Sequence, residues 1–176
     1  MLKTLFAAAA LTVAVSAGAA SAARAPEPLK PVDPAVFYAG RWYEIGRRPM
    51  IITNGCVAGA TDYVREGDDK VAVTDSCRRG GLAGAEAKIK GAGTILDPGT
   101  FAKLRVRYNF LITWDYWVLD HADDYSWFIS SDPAFKNLWI YTRQNPTPAQ
   151  TEALVARAKA LGYDTSKLEF PVQPPG

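Results

Sequence analysis

Eight short stretches rich in aromatic and β-branched residues, each closed off by turn-forming residues, constrain this chain more than any other feature. They run over 41–47, 57–65, 70–77, 84–95, 101–108, 115–121, 126–130 and 137–142, and such residues favour a pleated, half-buried backbone. Between them stand Glu66-Gly67-Asp68-Asp69, Arg79-Gly80-Gly81, Asp97-Pro98-Gly99, Ala122-Asp123-Asp124 and Ser131-Asp132-Pro133, whose Gly, Pro and Asp supply turn geometry. Tight turns make neighbouring strands antiparallel. A meander of eight strands either splits into a sandwich or closes on itself.

Side-chain alternation shows what such a sheet encloses. In Ala102-Lys103-Leu104-Arg105-Val106-Arg107-Tyr108 the Leu, Val and Tyr side chains share one face and the three basic residues the other, so this strand is apolar inside and wet outside. The strands around Trp127–Ile129 and 138–141 are apolar on both faces and need an outer cover. Thr147-Pro148-Ala149-Gln150 combines a capping box with proline at the first helical position, and predicts a helix over 148–161 ended by Gly162. Leu154, Ala158 and Leu161 recur at helical spacing and are placed against Leu138 and Ile140, which leaves Trp139 and Tyr141 inward. Gly46, Gly59, Ala83, Ala85 and Ser130 interleave as small inward residues. A short closing strand is expected near 167–172.

The ends of the chain read differently. Met1-Leu2-Lys3, the apolar run 5–15 and Ala20-Ser21-Ala22 form a secretory signal over residues 1–22, with Ala25 as an alternative cleavage point. The segment 23–38 holds four prolines and is expected to be an extended arm. Removing Lys3 with the signal leaves 19 basic against 18 acidic residues, a balance that argues against nucleic acid. The expected localisation is periplasmic or secreted, without a lipidation cysteine at the cleavage point, since the first cysteine is Cys56. In an oxidising compartment Cys56 and Cys77 are expected to form a disulfide. His121, the single histidine, reads as a solvated turn residue among Asp120, Asp123 and Asp124. No metal site and no cofactor are expected.

Gly40-Arg41-Trp42-Tyr43-Glu44-Ile45-Gly46-Arg47 resembles the Gly-x-Trp signature that opens the first strand of lipocalins, in the form seen in bacterial lipocalins and apolipoprotein D. Tyr116-Trp117-Val118-Leu119-Asp120 and Leu138-Trp139-Ile140-Tyr141-Thr142-Arg143 are the second and third matching blocks, so the likeness runs from about 34 to 173. The resemblance implies an all-β fold: an eight-stranded antiparallel up-and-down barrel, with one C-terminal α-helix packed on the outside. It implies that Trp42 plugs the base with Arg143 lying across it, both structural.

The resemblance also implies a lumen that binds and carries a small hydrophobic ligand of the fatty acid or lysophospholipid class. The expected lining is Glu44, Leu104, Val106, Tyr108, Tyr116, Val118, Phe128, Trp139 and Tyr141, with Met50, Ile51 and Ile52 as a lid at the mouth. The alternatives are a binder of a flat pigment, quinone or tetrapyrrole, and a ligand-free envelope interaction domain with a filled bore. Trp114 and Trp117 could face the mouth or the outside. An enzyme is not expected, because no activated nucleophile, base or metal stands out; Glu44 is the best candidate acid. The partner expectations are the ligand, a transient membrane contact, and a monomer or weak dimer.

One consistency condition follows. A direct Cys56–Cys77 cross-strand pair has an odd residue sum, whereas placing Tyr63, Val71 and Val73 all inward requires an even one. An extra residue reconciles the two, with Gly59 the natural bulge site.

Overall fold

The computed structural model describes residues 24–175; the expected signal segment, 1–22, lies outside them. Eight strands follow in order: β1 (Ala39–Arg47), β2 (Cys56–Arg65), β3 (Lys70–Arg79), β4 (Ala85–Ile95), β5 (Lys103–Arg107), β6 (Thr113–His121), β7 (Trp127–Ser131) and β8 (Leu138–Thr142). Each pairs antiparallel with the next, and β1 pairs with β8, so the sheet closes into a barrel without free edges.

The barrel is closed at one end by residues before β1. The segment expected to be extended instead makes one helical turn, α1 (Pro34–Phe37), capped by the Asp33 side chain accepting from the Ala35 N–H. Proline at the first position of that turn loses no hydrogen bond, so the same prolines that read as an extended arm are compatible with it. The turn drives Phe37 and Tyr38, both almost fully buried, into the base against Trp42, Tyr63 and Phe128. Further back the arm crosses the base: the Val32 N–H donates to the Thr100 carbonyl at 2.9 Å. His121 is buried rather than solvated. Its ring nitrogens lie 2.8 and 3.0 Å from the carbonyls of Ala122 and Pro31, and its ring stacks on Tyr125 at 5.0 Å. The arm covers a histidine that the nearby Asp120, Asp123 and Asp124 make look exposed.

The second helix, α2 (Pro148–Ala160), has the expected capping box of Thr147 and Gln150. Gly162 follows it at φ +92, the left-handed conformation that only glycine adopts cheaply. Leu154 and Ala158 pack with Ile45, Ile129, Leu138 and Ile140 in a layer outside the barrel wall, and Leu161 borders it. Leu138 and Ile140 thus face out while Trp139 and Tyr141 face in. The expected closing strand reduces to one antiparallel bridge between Arg47 and Glu169. Gly46 faces this outer layer, with Ile140 and Phe170 beside it, so it is not an inward residue. Ala83 lies in the turn before β4 and Ala85 is exposed at the rim.

The bulge sits where the parity argument requires. Val57 pairs with Arg78 but Ala60 pairs with Ser76, so one extra residue enters β2 between them, and Ala58 takes φ +51. Cys56 aligns with Arg79 rather than directly with Cys77, and the disulfide runs diagonally with Cα atoms 5.5 Å apart. Beyond the bulge Tyr63 faces Val73 directly, both buried inside.

Candidate functional site

Above the plugged base the barrel holds a cavity of about 310 Å³ that opens at the opposite end, at the small end of the range for ligand sites. Six of the nine expected lining residues border it: Glu44, Val106, Tyr108, Tyr116, Trp139 and Tyr141. Leu104, Val118 and Phe128 do not. They point into the barrel but belong to the packed cluster around Trp42 and Phe37 at its floor. Alternation assigns a face, and these three are on the right face at the wrong height.

One wall is aromatic. Trp139 packs against both Tyr116 and Trp114, with ring centres 5.1 and 6.1 Å away. Trp114 therefore faces the cavity. Trp117, three positions further toward the base and of opposite parity, lies outside with the Lys103 ammonium 4.4 Å above its ring.

The facing wall is polar, and its key members were not foreseen. Arg47 is buried and donates through Nη1 to Glu44 Oε1 at 2.5 Å, through Nε to Glu169 Oε1 at 2.7 Å, and through Nη2 to the carbonyls of Thr53 and Cys56. Burial pushes the Glu44 carboxyl above the ordinary carboxylate range, against the pull of Arg47. A strand-end arginine reads as solvated, but the β1–β8 register shifts between Glu44 and Gly46, which turns Arg47 inward. Gly59 makes room for this pair: a Cβ there would sit 2.8 Å from Glu44 Oε1.

Asp75 is the second buried acid. It accepts from the Thr61 hydroxyl at 2.6 Å and from the Tyr108 hydroxyl at 2.5 Å, and Tyr108 in turn lies 2.9 Å from the Tyr116 hydroxyl. Burial raises its pKa, which the two hydroxyl donors only partly offset. Burial and the nearby carboxylate hold Tyr108 and Tyr116 protonated far into the alkaline range. A signal for Asp75 existed, since it shares strand parity with inward Val71 and Val73. The cavity is thus a slot between aromatic rings and a hydrogen-bonded acid cluster. Among the described residues no group of three or more His, Cys, Asp or Glu is placed to hold a metal ion.

The mouth is ringed by the loops after β1, β3, β5 and β7. Met50 and Ile52 border the cavity, as do the disulfide, Ile112, Arg79 and Lys88. Ile51, the middle residue of the expected lid, is 98% exposed and points away. The segment forms a 3-10 turn over Ile51–Thr53, and that tight turn splits three adjacent apolar side chains between the cavity and water.

A lipocalin-like domain matches residues 32–173, which covers the end of the arm, all eight strands, α2 and the closing bridge. The chain belongs to the lipocalin family. A protein of Acanthamoeba polyphaga mimivirus that bears a lipocalin name is 30% identical to this lipocalin over 136 residues, covering 74% of this chain and 79% of its own. Among solved structures, insecticyanin from the tobacco hornworm Manduca sexta superposes with a TM-score of 0.64 at 19% identity, covering 84% of each chain. Lobster apocrustacyanin A1 gives 0.60 at 17% identity, over 86% of this lipocalin and 92% of that chain. A siderocalin described as working through dual ligand specificities gives 0.55 at 16% identity, over 78% and 95%. At such identities these structures establish the fold.

Proposed function

We propose that this lipocalin binds and carries one small, mostly apolar molecule in its lumen, of the acyl-chain class that includes fatty acids and lysophospholipids. The observation that carries the reading is the open cavity of about 310 Å³ between Trp114, Tyr116 and Trp139 on one side and Val73, Ile89 and Val106 elsewhere. An apolar chain gains about 0.8 kcal/mol for each methylene it buries there. The anionic head group of such a molecule fits at the rim, where Arg79 and Lys88 border the opening. It does not fit beside Asp75, which would repel it.

The polar side chains support binding rather than catalysis. Glu44 is tied to Arg47, Asp75 to two hydroxyls, both cysteines to each other, and His121 lies at the closed end under the arm. The disulfide supports an oxidising compartment, and with the leader it favours a periplasmic or secreted protein of the bacterial type.

The aromatic wall also favours a second reading, a flat ring system lying against Trp114 and Tyr116, whose planes are within 24° of each other. A filled, ligand-free barrel is disfavoured by the open bore. Titrating the protein with lysophospholipid, a fatty acid and a flat quinone while following tryptophan emission separates these readings. Saturation at one equivalent by an acyl ligand supports the proposal; saturation by the quinone alone replaces it with the second reading.

A further inference from the structure

The two ends of the barrel differ sharply in chemistry. At the closed end the turns carry Glu66, Asp68, Asp69, Asp97, Asp123 and Asp124. At the open end the loops after β1, β3 and β5 (48–55, 80–84 and 108–112) carry no carboxylate at all. They carry instead a set of large apolar side chains held out in water: Ile51 is 98% exposed, Phe110 91% and Leu111 78%, with Ile52 and Leu82 also exposed. Isolated exposed apolar residues are ordinary, but several on adjacent loops around one opening mark an interaction surface.

These loop tips are built, not slack. In the β5–β6 loop the Asn109 side chain accepts from the N–H groups of Leu111 and Ile112, and the Tyr108 N–H donates to the Ile112 carbonyl, which fixes Phe110 and Leu111 outward. Arg79, at the end of β3, donates to the carbonyls of Ile52 and Asn54 across the rim, tying the loop after β1 to the loop after β3.

Arg48, Arg78, Arg79, Lys88 and Arg107 stand in or beside these loops. Three acids at this end are paired with bases, one of them with Lys88 itself. Glu86 pairs with Lys88, Asp164 with Lys167, and Glu169 with Arg47. Asp132, on the fourth loop of this end, caps its own turn through the N–H groups of Lys136 and Asn137. The open end is therefore apolar at its tips and basic behind them, the arrangement by which a surface sits in the head-group region of an anionic bilayer.

We propose that the open end docks on an anionic lipid bilayer, with Phe110, Leu111 and Ile51 inserted and the basic rim against lipid phosphates. The cavity mouth then faces the membrane directly, and an amphiphile moves between bilayer and lumen without crossing water. The docking stands on the surface alone; the exchange rests on the ligand reading above.

The test is sedimentation of the ligand-free protein with large unilamellar vesicles of phosphatidylcholine, with and without one quarter phosphatidylglycerol. The protein should partition onto the mixed vesicles, weakly or not at all onto the neutral ones, and high salt should release it. The double variant Phe110→Ser/Leu111→Ser should lose about tenfold or more in partitioning, while its melting curve stays that of the parent. No partitioning onto mixed vesicles overturns the proposal, and so does partitioning that the double variant leaves unchanged. A dimer that the double variant dissolves, without vesicle binding, makes the face a contact between copies instead. A protein that docks but takes up no lipid leaves the docking standing and removes the carrier reading.

Discussion

Arg143 lies flat across Trp42, its guanidinium carbon 3.6 Å from the centre of the indole ring. Its Nη1 donates to the carbonyls of Ala39 and Arg41, and its Nη2 to that of Val36. One side chain thus ties the last strand to the first and to the turn that plugs the base, while the Trp42 Nε1 donates to the Phe37 carbonyl at 3.1 Å from the other side. Lysine keeps the charge but not the planar fork, so Arg143→Lys should cost about 1–2 kcal/mol. Trp42→Ala, at a fully buried site, should cost about 3–5 kcal/mol. Urea midpoints with unchanged slope report both, and ligand affinity of the folded Arg143→Lys protein should be unchanged.

The opposite facing of Trp114 and Trp117 makes ligand occupancy visible. Trp114 borders the cavity and Trp117 does not. Trp114→Phe should remove much of the emission change seen on titration with lysophospholipid, and Trp117→Phe should leave it intact. Trp139 also borders the cavity, so a signal that survives both Trp114→Phe and Trp139→Phe places the ligand outside the lumen.

Asp75 should make stability depend on pH in the direction opposite to a paired surface carboxylate. Its folded pKa is raised above the ordinary 3.8 by burial. Between the two values the native state holds a proton the unfolded state has released, so stability is greatest at the acid side and falls as pH rises through the folded value. Asp75→Asn should flatten this slope and raise the urea midpoint at neutral pH. Acyl-chain affinity of the parent should likewise rise as pH falls through the folded value, as the cavity loses a charge. Equilibrium unfolding at a series of pH values checks the first point, and lipid titration at the same values the second.

The Cys56–Cys77 bond closes a loop with a sequence separation of 21 residues and fastens β2 to β3 at the mouth. Loss of a crosslink of that span should lower stability by about 3 kcal/mol. The Cys56→Ser/Cys77→Ser protein should melt earlier and yet retain the barrel's far-ultraviolet spectrum, since most of the core lies below the disulfide.

Period-two alternation made the strands and their inward faces legible, and the helix announced itself through Thr147, Pro148 and Gln150. The odd and even residue sums place the bulge near Gly59 from the sequence alone, and it lies between Val57 and Ala60. Alternation is blind to height, however. Leu104, Val118 and Phe128 face inward as read, but the arm fills the base with Phe37 and Tyr38, so they form the floor instead of the lumen. It is also blind to a register shift, and one such shift turns Arg47 from a surface residue into the partner of Glu44. Burial of His121 depends on a segment ninety residues away in sequence, Pro31, and no local pattern encodes that contact.

The lumen claim is tested most directly by native mass spectrometry of detergent-free protein mixed with increasing lysophospholipid, alongside an Ala60→Phe variant that fills the bore. The parent should take up a single molecule and no more, and the variant none while remaining folded. Absence of any adduct in the parent, or equal uptake by the filled variant, would contradict the account.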